Sequence, residues 1–300
     1  MLKIGIYGFG GVGSAIYNEL QEYKELYILV DKVRFEKYKK EEFIINDKKV
    51  FPKFITEGKL DLIIIAVKNY QLKDALPNLK LFMKPDTVIL PLLNGIIAHD
   101  TIKDYYPKHR VLYGVINVES NKVGNVCHTS KIINLQYGDK YNYVLRWPLI
   151  EMRRIFNKYN INNHIYQNMQ RRVWHKWTLN LAINQISALM NATYLDMSHP
   201  LILDTFNDIF DEVYNVSKFY NIGLTIDDIN DIKKICEDFN SDRVTSLTID
   251  VNNNKENELD YFGKELINRA KKANIEVKAN KTVYNLVKAY SENKKRKGYW

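Results

Sequence analysis

Cysteine is nearly missing from this chain: Cys127 and Cys236 are the only two in 300 residues. Two cysteines cannot build a disulfide framework, and these two lack the spacing of a zinc site. The composition therefore reads as a cytoplasmic protein of a reducing compartment, with no metal. Long apolar runs are missing as well. The best candidate, Leu60–Val67, has the length of a strand and falls far short of the ~20 residues of a membrane span. The N-terminus opens on the strand-like Leu2–Tyr7, not on a charged leader with a cleavage site.

Acidic residues are in the minority: 35 Asp and Glu stand against 44 Lys and Arg, for a formal net charge of +9. Four of those nine excess charges sit in Lys294–Lys297. A basic tail can bind nucleic acid. Here neither a zinc-finger spacing nor an RNA- or DNA-reading motif accompanies it, so the segment reads as a frayed, solvated terminus and nucleic acid is not an expected partner. The remaining excess suits a small anionic ligand.

What is present is an alternation of short apolar strands and helical stretches. Leu2–Gly8 reads as a strand, Val12–Tyr23 as a helix and Tyr27–Asp31 as a strand. Further strands are expected at Leu60–Val67 and Thr87–Leu93. Their near-continuous apolar character suits a parallel sheet covered on both faces. Val111–Asn117 and Lys131–Gly138 read as later, antiparallel edge strands. After about Ile165 strand signals stop, and amphipathic helices are expected at Gln170–Asn191, Pro200–Tyr220, Ile226–Phe239, Glu258–Ala273 and Thr282–Asn293. The asparagine-rich stretch Asn157–Gln167 marks the boundary. The expected architecture is α/β: a Rossmann-type NAD(P)-binding domain over residues 1–166, then an all-helical substrate domain over 167–300.

Gly8-Phe9-Gly10-Gly11-Val12-Gly13 is a G-x-G-x-x-G string with a strand before it, a helix after it and a second strand ending at Asp31. In that context Gly8 permits the tight turn and Gly10 lets the backbone approach a pyrophosphate. Gly13 lets the helix pack close to the strand, with its N-terminus facing the negative charge. At the adenosine end two readings stay open. Asp31 could accept the 2′-hydroxyl of NAD, or Lys32 and Arg34 could hold the 2′-phosphate of NADP while Asp31 turns onto one of them. Lys68 and Asn94-Gly95 each follow a sheet strand, where ligands of open α/β sheets bind, although a lysine there can equally be a solvated cap.

The first helix of the second domain carries the other signal. On a wheel of about 100° per residue with Lys176 at zero, Ser187, Asn180, Asn191 and Asn184 fall at roughly 20°, 40°, 60° and 80°. Apolar residues, among them Trp174, Trp177, Leu181 and Ile186, fill most of the remaining circle. One polar column on an apolar helix is costly to bury unless it meets partners. It reads either as a wet face or as the lining of a cleft for a small anionic or carbonyl substrate. His175 lies off this column and reads as a structural helix histidine. Cys127 and His128, as strand neighbours, point to opposite faces and cannot act together.

In order along the chain stand Gly8–Gly13, Lys68-Asn69-Tyr70-Gln71, Leu93-Asn94-Gly95, Trp174-His175-Lys176-x-x-x-Asn180-x-x-x-Asn184, Thr245-Ser246-Leu247-x-x-Asp250 and Asn257-Glu258-Leu259-Asp260-Tyr261-x-Gly263. This ordered set resembles the ketopantoate reductase (2-dehydropantoate 2-reductase) family over essentially the whole chain. The resemblance implies a Rossmann domain, a helical domain like the C-terminal part of 6-phosphogluconate dehydrogenase, and NADPH-dependent reduction of 2-dehydropantoate to (R)-pantoate in pantothenate biosynthesis. It also implies roles for individual residues. Lys176 matches the general acid, Asn180, Asn184 and Ser246 match substrate contacts, and Glu258 matches the acid at the junction of substrate and cofactor. Asn94, Lys68 and Ser120 match cofactor-side residues, with Asn94 also near substrate. Two positions depart from the family pattern: Tyr194 replaces an expected substrate-contacting asparagine, and Asp31 sits at the adenosine site, which keeps NADH in play. The alternatives left open are a related reductase of another 2-oxo acid or an imine, and a non-catalytic dinucleotide sensor. A homodimer through the helical domain is compatible with the pattern.

Overall fold

The computed structural model describes residues 1–130 and 133–297. The chain divides into two compact units, Met1–Gln170 and Arg171–Trp300. The first is built on a six-stranded parallel sheet of β1 (Ile4–Tyr7), β2 (Leu26–Leu29), β5 (Phe54–Ile55), β6 (Leu60–Ile65), β7 (Met83–Pro91) and β8 (Arg110–Val111). Its spatial order is β5-β2-β1-β6-β7-β8. The order reverses between β1 and β6, so the crevice outside their carboxyl ends is where such a sheet takes its ligand. The helices α1 (Gly11–Leu20), α2 (Lys32–Tyr38), α3 (Asn69–Leu79) and α4 (Ala98–Tyr105) follow β1, β2, β6 and β7.

Apolar residues on both sides of each strand dictate this layering. Ile4, Ile6, Leu62 and Ile64 enter one core, while Tyr7, Ile63 and Ile65 enter another on the opposite face. A second sheet, in the order β10-β11-β3-β4, joins β3 (Phe43–Ile45) and β4 (Lys48–Val50) to β10 (Ser120–Val123) and β11 (Val126–Thr129). The third sheet holds β9 (Tyr113–Asn117), β12 (Asn134–Gly138) and β13 (Asn162–His164), with β12 antiparallel to β9. Helix α5 (Leu149–Lys158) lies between β12 and β13 in sequence.

The second unit is helical: α6 (Met169–Met190), which begins just before it, then α7 (Pro200–Phe219), α8 (Ile226–Glu237), α9 (Ser246–Asn252), α10 (Gly263–Ala273) and α11 (Lys278–Lys297). No helix among the described residues is long and apolar enough to cross a membrane.

Several expectations need correction. Of the second sheet only the strand at Cys127-His128, now β11, was expected, with Cys127 buried and His128 exposed; the others are only 3 or 4 residues long and half polar. The asparagine-rich stretch 157–167, expected to mark the boundary, lies within the first unit, which ends at Gln170, and supplies β13, paired to β12. The helix expected from Glu258 starts only at Gly263, after a 3-10 turn over Leu259–Tyr261. The basic tail is not frayed over its first part. Lys294–Lys297 continues α11, and Lys294 Nζ donates to Asn252 Oδ1 at 3.0 Å. Tyr299 and Trp300, and the first two residues of the strand expected at Lys131–Gly138, lie outside the described residues.

The turn between β1 and α1 is fixed by two close approaches. Gly8 has φ +104°, and a Cβ there would sit 2.8 Å from the Ala66 backbone, so both its conformation and its surroundings demand glycine. A Cβ on Gly13 would overlap the Gly8 carbonyl oxygen, whereas one on Gly10 would meet nothing within 4 Å. Gly13→Ala is therefore expected to cost about 2–4 kcal/mol of stability by forcing the backbone apart. Gly10→Ala, at φ −81°, should stay within about 1 kcal/mol of the parent. Urea unfolding of both variants checks the contrast; equal stabilities would refute it.

Candidate functional site

In the first unit the site grows from that turn. Gly10 is exposed and caps α1 with no side-chain hydrogen bond, so the first-turn N–H groups of a ten-residue helix are left to other acceptors. An open glycine beside a helix N-terminus fits the close approach of a pyrophosphate. Ser120, at the start of β10, presses on the same turn: a Cβ on Gly11 would collide with its hydroxyl. Phe9 is buried, its ring packed edge-on against Tyr17, Phe43 and Phe54.

The loops after β6 and β7 are tied to each other. Lys68 begins α3, its N–H donating to Gln71 Oε1 at 3.2 Å, and Asn69 Nδ2 donates to the Asn94 carbonyl at 2.7 Å. Lys68 and Asn94 are both half-buried. Asp31 is engaged locally. Its carboxylate caps α2, accepting from Arg34 N at 2.7 Å, and pairs with the Arg34 guanidinium at 3.2 Å. Lys32 and Arg34 stand exposed on the first turn.

In the second unit α6 is buried nearly all round: Trp174, Trp177, Leu181, Ala182, Ile183, Ile186 and Ala188 are 5% exposed or less. Lys176 is held in this apolar setting. Desolvation pushes its ammonium down to about 8, against the opposing pull of the Glu258 carboxylate. Glu258, itself 4% exposed, begins the 3-10 turn. That turn is pinned to α6 next to Lys176, because Trp177 Nε1 donates to the Tyr261 carbonyl at 3.1 Å. Burial drives the neighbouring His175 down to about 4, so it is a neutral core imidazole at ordinary pH.

The polar column on α6 divides in two, which corrects the single stripe read from the wheel. Ser187 is wholly buried and spent on structure: its hydroxyl donates to the Ala192 carbonyl at 2.7 Å and meets Thr248 Oγ1 at 2.7 Å. Asn191 leaves the helix at φ +52° and accepts from Asn252 at 2.6 Å. Asn180 and Asn184 are different. Neither amide has a hydrogen-bond partner among the described residues, although Asn184 is only 6% exposed. Such a side chain costs free energy until something binds it. Thr245, quoted in the sequence motif without a role, and Thr248, which the sequence reading missed, anchor α9 to Ser187 and so place the exposed Ser246 in the first turn of that helix. The signal was available, since Thr245 three residues before Thr248 is an N-cap pattern. Lys122, on β10 beneath the glycine turn, was also missed. Tyr194 packs its ring on Phe239 at 5.0 Å, and burial raises its phenol pKa. Among the described residues no cluster of His, Cys, Asp and Glu could hold a metal ion.

Known proteins are similar to this chain. YkpB, an uncharacterized oxidoreductase of Bacillus subtilis, is 27% identical over 186 residues, which is 59% of this chain and 61% of the relative. A 2-dehydropantoate 2-reductase of Streptococcus pyogenes is 31% identical over 136 residues, 44% of this chain and 43% of the relative. The matches thus span less than two thirds of either relative's length. One from Pyrococcus abyssi is 25% identical over 241 residues, 78% of this chain and 77% of that protein. In three dimensions, a dimeric ketopantoate reductase from Staphylococcus aureus superposes with a TM-score of 0.82 at 22% identity, covering 97% of this chain and 99% of that one. D-mandelate dehydrogenase, solved with NADH and anilino(oxo)acetate, gives 0.85 at 20% identity over 97% and 99%. At such identities the likeness speaks for the fold. The family description Ketopantoate reductase PanE/ApbA matches residues 4–140 and its C-terminal counterpart residues 168–291, and the chain belongs to that family.

Proposed function

We propose that the protein reduces a 2-oxo acid with NADPH, most simply 2-dehydropantoate to (R)-pantoate in pantothenate biosynthesis, in the cytoplasm. The observation that carries this reading is the column of Lys176, Asn180 and Asn184. It sets a desolvated ammonium in line with two partnerless amides on a helix that is otherwise core. When bound, the nicotinamide supplies the hydride. Negative charge then grows on the substrate's carbonyl oxygen, where Lys176 stabilises it and delivers a proton from Nζ. Asn180 and Asn184 hold the substrate's carboxylate or hydroxyl, with Ser246 as a further hydroxyl contact. Glu258 orients Lys176 and holds part of its charge. On the dinucleotide side, Gly8–Gly13 take the pyrophosphate, and Lys68, Asn94 and Ser120 line the cofactor's path. Lys32 and Arg34 hold the 2′-phosphate, because Asp31 is already engaged as a helix cap.

Tyr194 favours a second reading for the substrate. Its ring, packed at a tilt against Phe239, offers an apolar wall where the family pattern has an amide, which suits a 2-oxo acid with a larger or aromatic side chain. D-mandelate dehydrogenase shows the same fold serving such chemistry. A homodimer through the helical unit is part of the proposal, as one structural relative is dimeric.

The deciding experiment follows NADPH and NADH oxidation with 2-dehydropantoate beside branched and aromatic 2-oxo acids such as phenylglyoxylate. Turnover with none of them would refute the reductase reading. Lys176→Ala should lower kcat by about 10²-fold or more while NADPH affinity changes little. Asn180→Ala should instead act mainly on KM. A Lys176→Ala enzyme within threefold of the parent would remove Lys176 from the chemistry. The lysine must be protonated to act, and its folded value of about 8 lies below the ordinary lysine value. The kcat/KM for reduction should therefore hold below pH 8 and fall as the pH rises through that value; a profile flat to pH 10 would contradict it.

The cofactor preference has its own test. The double change Lys32→Ala with Arg34→Ala is expected to weaken NADPH by about tenfold or more and to leave NADH within twofold. Equal effects on both dinucleotides, measured by fluorescence titration, would overturn the assignment.

A further inference from the structure

Lys122 presents an unexplained cost. It projects from β10 half-buried, and desolvation lowers its pKa against the opposing pull of Cys127. Its Nζ donates to the Phe9 carbonyl, across 113 residues of sequence, and lies 3.4 Å from the Ser14 hydroxyl. It sits 4.4 Å from the centroid of the Phe9 ring and 5.6 Å from that of Phe43. Among the described residues no carboxylate pairs with it. Holding a cation partly out of water without a counter-ion is costly, and two ring faces offset that only in part. Its placement adds to the cost, because the N-terminus of α1 beside it already carries about half a positive charge. Ser14, on the first turn of α1, touches the ammonium. Two positive poles thus share one turn with no acid between them.

The peptide geometry says what the arrangement achieves. In a trans peptide the carbonyl and the following N–H point in opposite directions. With the Phe9 carbonyl held inward by Lys122, the Gly10 N–H is turned to the other side of the peptide plane, at the exposed glycine where no side chain intervenes. An anion seated there would receive that N–H and also relieve the repulsion between the two poles.

We propose that Lys122 is a positioning residue for the dinucleotide pyrophosphate. It fixes the Phe9–Gly10 peptide and supplies from beneath the turn a positive charge that the bound pyrophosphate neutralises. The inference rests on the dinucleotide reading of Gly8–Gly13. It concerns a cation that acts through the turn rather than by touching the cofactor.

The test uses the full chain and two probes. NADPH carries the pyrophosphate; adenosine 2′-monophosphate carries the adenosine end without it. Lys122→Met keeps a linear apolar stem between the two rings, and Lys122→Gln keeps a donor for Phe9 without the charge. Both are expected to weaken NADPH by about tenfold, the scale of a partly buried charge at a helix terminus, and to leave adenosine 2′-monophosphate within twofold. Titration calorimetry reads the first ligand and competition the second, with thermal melting to verify the fold. Equal losses for both ligands, or NADPH binding within twofold of the parent in both variants, would overturn the proposal. Failure of both variants to fold would also overturn it, by making Lys122 a folding residue. A parent protein that binds neither NADPH nor NADH would instead dispose of the dinucleotide reading, and the role of Lys122 with it.

Discussion

Desolvation of one helix governs the second unit of this protein. A 22-residue helix lined by Trp174, Trp177, Leu181 and Ile186 can be buried only if its neighbours surround it. Every polar group on it must then find a partner or remain costly. The neighbours supply those partners selectively. Gln185 meets Asn280 at 3.0 Å and Ser187 meets Thr248 at 2.7 Å, while the Tyr261 carbonyl takes Trp177. What this pairing leaves without a hydrogen bond among the described residues is the amides of Asn180 and Asn184, on the same helix as the desolvated Lys176 ammonium. The same burial that stabilises the helix thus leaves the candidate site's groups costly on it.

The first unit solves a different problem, bringing backbone rather than side chains to a ligand. Parallel strands buried on both faces require helices on each side, and the reversal of strand order between β1 and β6 opens a crevice at their ends. Glycine occupies the points where any Cβ would block that geometry, at Gly8 and Gly13. The second sheet then reaches across to the turn through Ser120 and Lys122, so residues more than a hundred positions away shape the Phe9–Gly10 peptide. Among the described residues no carboxylate pairs with Lys122 at this turn, which suits an anionic guest.

Strong local signals made much of this legible beforehand. The glycine string, the apolar strands of the main sheet and the long helices from α6 onward are written in short-range periodicity, and the structure has them within a few residues. Weak local signals hid the rest. Strands such as Lys48–Val50 are too short and too polar to be seen without their partners, and β13 hides in a run of asparagines. The turn at Glu258 carries helical periodicity yet becomes a 3-10 turn, held to α6 by the Trp177 bond.

Taken alone, the sequence determined which chemistry could be assembled: a phosphate-binding turn, a single cation in an amide-lined column, and cations after the second strand. These depend on residue type and spacing, which folding does not alter. Tertiary structure alone decided how each group is employed. On the helical wheel Ser187 and Asn191 lie among Lys176, Asn180 and Asn184, because a wheel records angle and discards position along the axis. Packing supplies that missing coordinate. It placed Thr248 and Asn252 against the lower residues and left Asn180 and Asn184 without partners. Asp31 became a helix cap and Lys122 came to lie beneath the glycine turn for the same reason: a side chain's role is set by the neighbours that folding brings to it.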